Sequence, residues 1–287
     1  MDKKKNLTTK ETFALAFKNH QKNYLNIAED LYKKILKVNP DHFDSNFLLA
    51  TLLVQTRRFE LSKAFFRKAI QINPNYADAH NNLGAALKEL GDYKNAINSC
   101  QKAIQINPNY ADAYNNLGAT LKELSDYDKA IECYKKAIQI NPNYVASYNN
   151  LGIIFNELKE FKIAKKFYEK AIQINPNYAA AHNNLGQVFR NLDQIQKAIS
   201  CYQKAIQINH NFTDAYNNLG TILAELNRVN EAKKYFEKSL NLNPNNKQAC
   251  EGYGDILFKL NQHSKAIEYI RRGTGLIQFT AESVKII

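Results

Sequence analysis

The sequence predicts an all-α protein, a solenoid of about eight stacked helix-turn-helix units, and three observations support this fold class. The six prolines all fall in one 34-residue phase. A twelve-residue segment that begins NPNY, or NHNF in its last copy, occurs five times at the same interval. Within each interval, apolar residues return every three or four positions in two separate runs, which is the spacing of two helices that each bury one face.

Extending the proline phase in both directions divides the chain into repeated units. We expect residues 1–8 to form a flexible N-terminus, residues 9–280 to form the solenoid, and residues 281–287 to form a tail that is either a cap or the start of a linker. Terminal units must cover an otherwise bare apolar face, so their looser sequences are expected. The units lie near residues 9–42, 43–76, 77–110, 111–144, 145–178, 179–212, 213–246 and 247–280.

The unit at residues 111–144 shows how each hairpin is specified. Two apolar stripes predict two helices, and the connection Leu124-Ser125-Asp126 is short enough to require an antiparallel hairpin. We expect Asp126 to cap the second helix and Asn109 or its neighbour to cap the first. The stripes are Tyr114, Leu117, Gly118, Leu121 and Leu124, followed by Tyr127, Ala130, Ile131, Tyr134, Ala137, Ile138 and Ile140.

Small residues predict close packing between the two helices of each unit. A glycine inside a helix costs about 1 kcal/mol relative to alanine, so a tight helix–helix contact is the expected compensation. One column of the repeat holds glycine, and a column on the second helix holds alanine. The glycines are Gly84, Gly118, Gly152, Gly186, Gly220 and Gly254, and the alanines are Ala96, Ala130, Ala164, Ala198, Ala232 and Ala266.

These columns resemble the tetratricopeptide repeat over nearly the whole chain. The period is 34, an aromatic residue stands two positions before Asn-Leu-Gly, and alanine, aromatic and proline columns follow. Departures are small: Tyr114, His80 and His182 replace the usual tryptophan, and Leu121 and Phe155 replace a tyrosine. The resemblance implies a right-handed α-solenoid whose first helices line a concave groove, whose second helices face outward, and which binds a protein or peptide in that groove.

The composition is that of a folded chain, with 45% hydrophobic and 23% charged residues. No apolar run follows the N-terminal lysines, and none approaches the ~20 residues of a membrane span, so we expect a cytoplasmic protein without a membrane span. The four cysteines have no metal-ligand spacing, and we expect them to be small packing residues.

The formal net charge of +12 makes nucleic acid a first suspicion. The placement of the charge weakens that suspicion, because one basic residue recurs near the end of every second helix, where a cation suits the helix dipole. We therefore expect a solvated surface in preference to a contact with an acidic protein or membrane, and we expect no nucleic-acid partner. The column is Lys34, Lys68, Lys102, Lys136, Lys170, Lys204, Lys238 and Arg272.

No catalytic constellation is evident in the sequence. It contains no glycine-rich phosphate loop, nucleophile elbow or HExxH motif. His42-Phe43-Asp44 matches the start of some iron sites, but His42 aligns with Tyr76, so we interpret it as a repeat junction. His80 and His182 alternate with tyrosines in a packing column. We expect no enzyme activity, no cofactor and no metal.

Five asparagine doublets have no evident packing role. On a helical wheel both members lie off the apolar stripe, one to each side, so we expect neither to be a core residue. An amide pairs with both the N–H and the C=O of an extended peptide. The superhelical segment of O-GlcNAc transferase is similar, since an asparagine directly before leucine holds its peptide substrates by their main chain. That resemblance implies peptide contacts from the "following asparagines", Asn82, Asn116, Asn150, Asn184 and Asn218, and secondary contacts from the "leading asparagines", Asn81, Asn115, Asn149, Asn183 and Asn217.

This peptide-groove hypothesis has limits and alternatives. Ala14, Leu48 and Gly252 stand in the column of the following asparagines, so the line of amides stops at both ends. An alternative is that the doublets bond to one another or to water. We therefore predict a protein-interaction scaffold for a peptide or protein partner. The alternatives are a non-catalytic substrate-recognition arm of a larger O-GlcNAc-transferase-like or other modifying enzyme, and a purely structural scaffold.

Overall fold

The structure is a computed structural model that describes residues 7–274 and the backbone of residues 277–279 and 284–286. Its helices follow one another as eight pairs within the described residues. The first helices of the pairs are α1 (Thr9–Gln21), α3 (Phe43–Gln55), α5 (Ala77–Glu89), α7 (Ala111–Glu123), α9 (Val145–Glu157), α11 (Ala179–Asn191), α13 (Thr213–Glu225) and α15 (Lys247–Lys259). The second helices are α2 (Leu25–Val38), α4 (Phe59–Ile72), α6 (Tyr93–Ile106), α8 (Tyr127–Ile140), α10 (Phe161–Ile174), α12 (Ile195–Ile208), α14 (Val229–Leu242) and α16 (His263–Thr274).

The chain divides into two compact units, Met1–Ser147 and Tyr148–Ile287. Within each unit the two helices of a pair form an antiparallel hairpin, and the second helix also packs against the first helix of the next pair. Examples are α4 against α5 in the first unit and α12 against α13 in the second. The predicted all-α class, a solenoid of about eight helix-turn-helix repeats, is confirmed.

The two ends of the chain add detail that the repeat pattern does not contain. Thr8 caps α1, because its hydroxyl accepts the N–H of Glu11 at 3.2 Å. After α16, the short strands β1 (Ile277–Phe279) and β2 (Val284–Ile286) pair in antiparallel register, which the sequence analysis did not predict. The expectations for residues 1–6 and for residues 281–283 and 287 lie outside the described residues.

The hairpin turns share one backbone conformation. Ser125 has a φ of 58°, in the left-handed region, and the N–H of Asp126 donates to the carbonyl of Leu121 at 3.0 Å. This arrangement closes the C-terminal end of the first helix. Asp126 then accepts the N–H of Lys129 at 3.4 Å and caps α8, as predicted. The corresponding residues of the other turns are Asn23, Arg57, Gly91, Lys159, Asp193, Asn227 and Asn261.

The start of α7 differs in part from the prediction. We expected Asn109 or its neighbour to cap α7, but the N-cap residue is Tyr110, whose side chain makes no capping hydrogen bond. The N-cap residue is therefore the neighbour of Asn109, but its side chain does not cap the helix. Instead, Oδ1 of Asn107 accepts the N–H of Asn109 at 3.1 Å across Pro108. Such an Asx turn stabilises the junction between repeats rather than the helix that follows it.

The predicted close approach within each hairpin is confirmed. A Cβ on Gly118 would lie 2.9 Å from the ring of Tyr134, and a Cβ on Gly186 would lie 2.7 Å from the ring of Tyr202. Both rings are almost fully buried, and so is Ala130 in the facing alanine column. The glycine therefore makes room mainly for an aromatic ring on the second helix, one turn beyond the alanine.

The basic column lies on an exposed face of the second helices. Nζ of Lys102 donates to Oε1 of Gln105 at 3.0 Å, and the same contact recurs in α8, α10 and α12. Lys68 pairs instead with Asp41 at 2.7 Å. These lysines therefore have local partners. None of the described helices is both long enough and apolar enough to cross a membrane.

Candidate peptide-binding surface

The leading asparagines are buried, which corrects the expectation that neither member of a doublet is a core residue. Asn81 is 4% exposed and Asn217 is 5% exposed. A helical wheel describes one helix by itself, whereas in a solenoid the first helix of the next repeat also covers a flank of the apolar stripe. Accordingly, α7 packs on α5 and α15 packs on α13. A buried amide is tolerated where its hydrogen bonds are made, so the contacts of these side chains decide their role.

The following asparagines are half-buried, and three of them donate to the leading asparagine of the preceding repeat. With the donor named first, the pairs are Asn116 with Asn81 at 2.9 Å, Asn184 with Asn149 at 3.1 Å, and Asn218 with Asn183 at 3.0 Å. Each bond joins Nδ2 to Oδ1 across two neighbouring first helices. The alternative that the doublets bond to one another is therefore observed at these three junctions.

These bonds leave hydrogen-bonding capacity on the following asparagines. A primary amide carries two N–H donors and an oxygen with two lone pairs. The contact with Asn81 uses one N–H of Asn116. Within a doublet, Nδ2 of Asn81 lies 3.4 Å from Oδ1 of Asn82, a long contact that leaves that oxygen able to accept a second donor. The leading asparagines thus hold the following asparagines in position.

A cleft of about 340 Å³ contains the accessible side of Asn116. Val54, Phe59 and Ala85 supply apolar walls, and Arg57, Lys88 and Glu89 supply charge. Lys88 and Glu89 form an ion pair at 2.8 Å. This cleft crosses α3, α5 and α7 on the first-helix side of the first unit. It places an amide, which can bond to a peptide main chain, beside an apolar surface, which can contact a peptide side chain.

Tyrosines at the repeat junctions form a second row of contacts that the sequence pattern did not predict. The hydroxyl of Tyr144 donates to the carboxylate of Asp112, which lies 32 residues earlier. Burial raises the pKa of Tyr110, and a hydrogen bond with Asp78 at the same offset raises it further. The tyrosine recurs in the NPNY segment, and Asp78 and Asp112 follow it by two positions in two of the copies, but the sequence alone did not show that the tyrosine contacts the aspartate of the preceding repeat.

The histidine column has the packing role that we predicted. Nε2 of His80 donates to the carbonyl of Pro74 at 2.8 Å, and Nε2 of His182 donates to that of Pro176 at 2.9 Å. Asn46 occupies the same column and donates to the carbonyl of Pro40 at 2.9 Å. These side chains close the loop before each first helix.

The cysteines are free thiols within helices. Burial raises the pKa of Cys100 to about 12 and that of Cys133 and Cys201 to about 11, so each is a protonated thiol at neutral pH. Among the described residues, no group of three or more His, Cys, Asp or Glu side chains is placed to hold a metal ion.

The fold and this surface define an α-solenoid of helical repeats with a polar first-helix face. Two family models for the tetratricopeptide repeat together match residues 43–76, 77–110, 111–144, 145–178, 179–212, 213–246 and 248–278. The chain therefore belongs to the tetratricopeptide repeat family. None of the curated proteins compared with the sequence matches it.

Solved structures with a similar fold are also repeat proteins. A chain of the APC/C hetero-tetramer Cut9–Hcn1 has a TM-score of 0.71 and 17% identity, and the match covers 92% of this chain and 52% of that one. This chain thus spans about half the length of that relative. A tetratricopeptide repeat protein from Parabacteroides merdae has a TM-score of 0.71 and 15% identity, with 87% and 98% covered. MamA has a TM-score of 0.52 and 27% identity, with 60% and 93% covered.

Proposed function

We propose that this protein is an interaction scaffold that holds an extended segment of a partner protein against its first helices, through the following asparagines. The repeat fold is typically a non-catalytic scaffold for protein–protein interactions. The finer assignment rests on one observation: the following asparagines are half-buried amides, and a hydrogen bond to the preceding repeat fixes the orientation of Asn116, Asn184 and Asn218. Because the amide is already ordered, binding costs less side-chain entropy.

The role of each asparagine column differs in this proposal. The following asparagines contact the peptide main chain with the remaining N–H and the amide oxygen. The leading asparagines, which are buried, act as positioning residues and do not touch the peptide. Apolar and charged groups beside Asn116 then favour some side chains over others. Main-chain contacts of this kind give affinity with little demand on sequence, and the flanking cleft supplies selectivity.

The experiment compares two sets of five substitutions. In the test variant the following asparagines, Asn82, Asn116, Asn150, Asn184 and Asn218, become alanine. In the matched control, five exposed asparagines of the inter-repeat loops become alanine: Asn75, Asn109, Asn143, Asn177 and Asn211. Binding to a fluorescent library of random extended decapeptides is measured by anisotropy, and folding is measured by far-UV circular dichroism.

We expect the test variant to remain helical and to bind the library at least about tenfold more weakly, because each lost amide contact contributes about 0.5–1.5 kcal/mol. The control variant should bind as the unmodified protein does. Unchanged binding by a folded test variant would contradict the proposal and would favour a purely structural scaffold.

The same surface suits the alternative of a non-catalytic substrate-recognition arm of a larger modifying enzyme. The two functions differ in what is joined to the scaffold, since both require an extended peptide on the first helices. One experiment distinguishes the two functions. Complexes of this protein with its partners are purified and given a decapeptide and a nucleotide sugar, and glycosyl transfer to the peptide is measured by mass spectrometry. Transfer that depends on the following asparagines would favour the arm.

A further inference from the structure

The line of following asparagines ends at Gly252. The junction between repeats at this residue therefore differs from those where one asparagine donates to another. Asn218 donates to Asn183, 35 residues earlier, so a side chain at position 252 would face Asn217. Position 252 has no side chain. Oδ1 of Asn217 is buried and has no hydrogen-bond partner among the described residues. An unpaired buried carbonyl is uncommon in folded proteins, so this end of the line lacks a donor.

A cleft of about 480 Å³ opens at this place between α13 and α15. Its lining includes the ring of Phe236, which lies so close to Gly252 that a Cβ there would be 2.5 Å from Cζ. Ala224, Ile256 and Phe258 extend the apolar wall. The cleft therefore offers an apolar surface long enough for the methylene chain of a side chain, beside Gly252, where the line of amides ends.

The polar part of the cleft is rich in acceptors. Thr221, Glu225, Asp255 and Lys259 line its edge. The carboxylate of Glu225 is already paired with Arg190. Burial raises the pKa of Asp255, and the nearby ammonium of Lys259 offsets that effect only in part. The Asp255 side chain lies at the exposed edge of the cleft, and no hydrogen bond or ion pair holds its carboxylate among the described residues.

We propose that this cleft binds a lysine or arginine side chain of the segment held on the first helices, with the methylene stem against Phe258 and Ala224 and the N–H donors directed at Asp255. This inference rests on the proposed function, because the cationic residue belongs to the same extended peptide. A cation with an apolar stem matches both parts of the lining, and N–H donors to a carboxylate make strong hydrogen bonds. Because Glu225 is already paired with Arg190, Asp255 is the carboxylate of the lining that is open to such a cation.

The test uses the full chain and four fluorescein-labelled pentapeptides, Ala-Ala-X-Ala-Ala, in which X is lysine, arginine, glutamine or norleucine. We expect the lysine and arginine peptides to bind at least about fivefold more tightly than the other two, since a charge-assisted hydrogen bond exceeds a neutral one. Asp255→Asn should reduce that preference below about twofold. Asp214→Asn removes an exposed carboxylate from the same unit outside the cleft and should leave the preference unchanged.

The outcomes separate this inference from the proposed function. If all four peptides bind equally to the unmodified protein, the inference is wrong and the main-chain surface stands. If none binds, both are wrong. A preference for glutamine, or a cation preference that survives Asp255→Asn in a folded variant, also overturns the inference. Melting temperatures of the two variants show whether each is folded.

Discussion

Two repeats of the first unit have chemically different residues at the same position of the repeat. Phe47 in α3 occupies the column that holds Asn81 in α5. The ring of Phe47 meets the ring of Tyr76 edge-on, with centroids 5.1 Å apart. At the same offset, Nδ2 of Asn81 lies 3.5 Å from the hydroxyl of Tyr110. Repeats therefore stack with an apolar residue in this column as well as with an amide.

The comparison separates what stacking requires from what the asparagines add. Aromatic residues at the N-terminal repeats bury apolar surface, which is the larger contribution to stability. A buried amide must recover its desolvation cost through hydrogen bonds and gains little net stability. Because the N-terminal repeats do without the amides, we attribute the asparagine columns to the orientation of groups for binding.

The largest effect is expected from removing an aromatic side chain at the apolar junction. Phe47→Ala removes contacts with Phe43, Phe66 and Tyr76 and should lower the free energy of unfolding by about 3 kcal/mol. Urea denaturation followed by circular dichroism measures it. As a control, Phe17→Ala removes a ring that is 41% exposed and should cost less than about 1 kcal/mol. Equal losses would contradict the assignment of Phe47 to the junction.

An ion pair also joins the first two repeats, and its removal should have the next largest effect. The guanidinium of Arg58 binds both carboxylate oxygens of Glu29, with Nη1 2.9 Å from Oε1. The hydrogen bond from Arg58 lowers the pKa of Glu29 to about 2, against the opposing effect of burial. Glu29→Gln should therefore cost about 1.5–3 kcal/mol at neutral pH.

The pH dependence tests the same ion pair. The folded pKa of Glu29 is lower than its unfolded value, so its contribution is present above pH 4.5 and is lost as the pH falls towards about 2. The stability difference between the unmodified protein and Glu29→Gln should shrink over that interval. A difference that stays constant from neutral pH to pH 2 would show that the side chain contributes only by packing.

A smaller effect is expected from the amide bond between repeats. Asn81→Ala and Asn116→Ala should each lower the free energy of unfolding by about 1–2 kcal/mol, because each leaves one polar partner unpaired. Their double-mutant cycle should give a coupling energy of about 1 kcal/mol. A coupling energy near zero would mean that the Asn116–Asn81 bond does not form in solution.

The smallest effect is expected at Asn82, where the line of amides meets the apolar region. The Asn116–Asn81 bond spans 35 residues, and the residue 35 positions before Asn82 is Phe47. A phenylalanine side chain cannot accept a hydrogen bond from the Asn82 amide. Asn82→Ala should change the free energy of unfolding by no more than about 0.5 kcal/mol. Thermal denaturation of the Asn82→Ala and Asn116→Ala variants measures the loss of stability in each. An equal loss in both variants would remove the distinction between the two regions.

The fold could be predicted from the sequence because the residues that specify each hairpin recur every 34 positions. The glycine and alanine columns and the turn Leu124-Ser125-Asp126 depend on contacts within one hairpin, and their period marks them. Asn115 was misplaced for the opposite reason: its burial comes from the next repeat, and a single-helix wheel omits that neighbour. The contact between Tyr144 and Asp112 also spans two repeats. The acceptor left unpaired at Asn217 depends on one substitution, Gly252, whose consequence required side-chain geometry.

The central claim, that the following asparagines bind a peptide by its main chain, is tested most directly by peptide N-methylation. A decapeptide selected from the random library is compared with its analogue methylated at alternate backbone nitrogens. The unmodified protein should bind the methylated peptide at least about tenfold more weakly, because the donors to the amide oxygens are gone. The variant with alanine at the five following asparagines should bind both peptides equally. Equal binding of both peptides by the unmodified protein would contradict the claim.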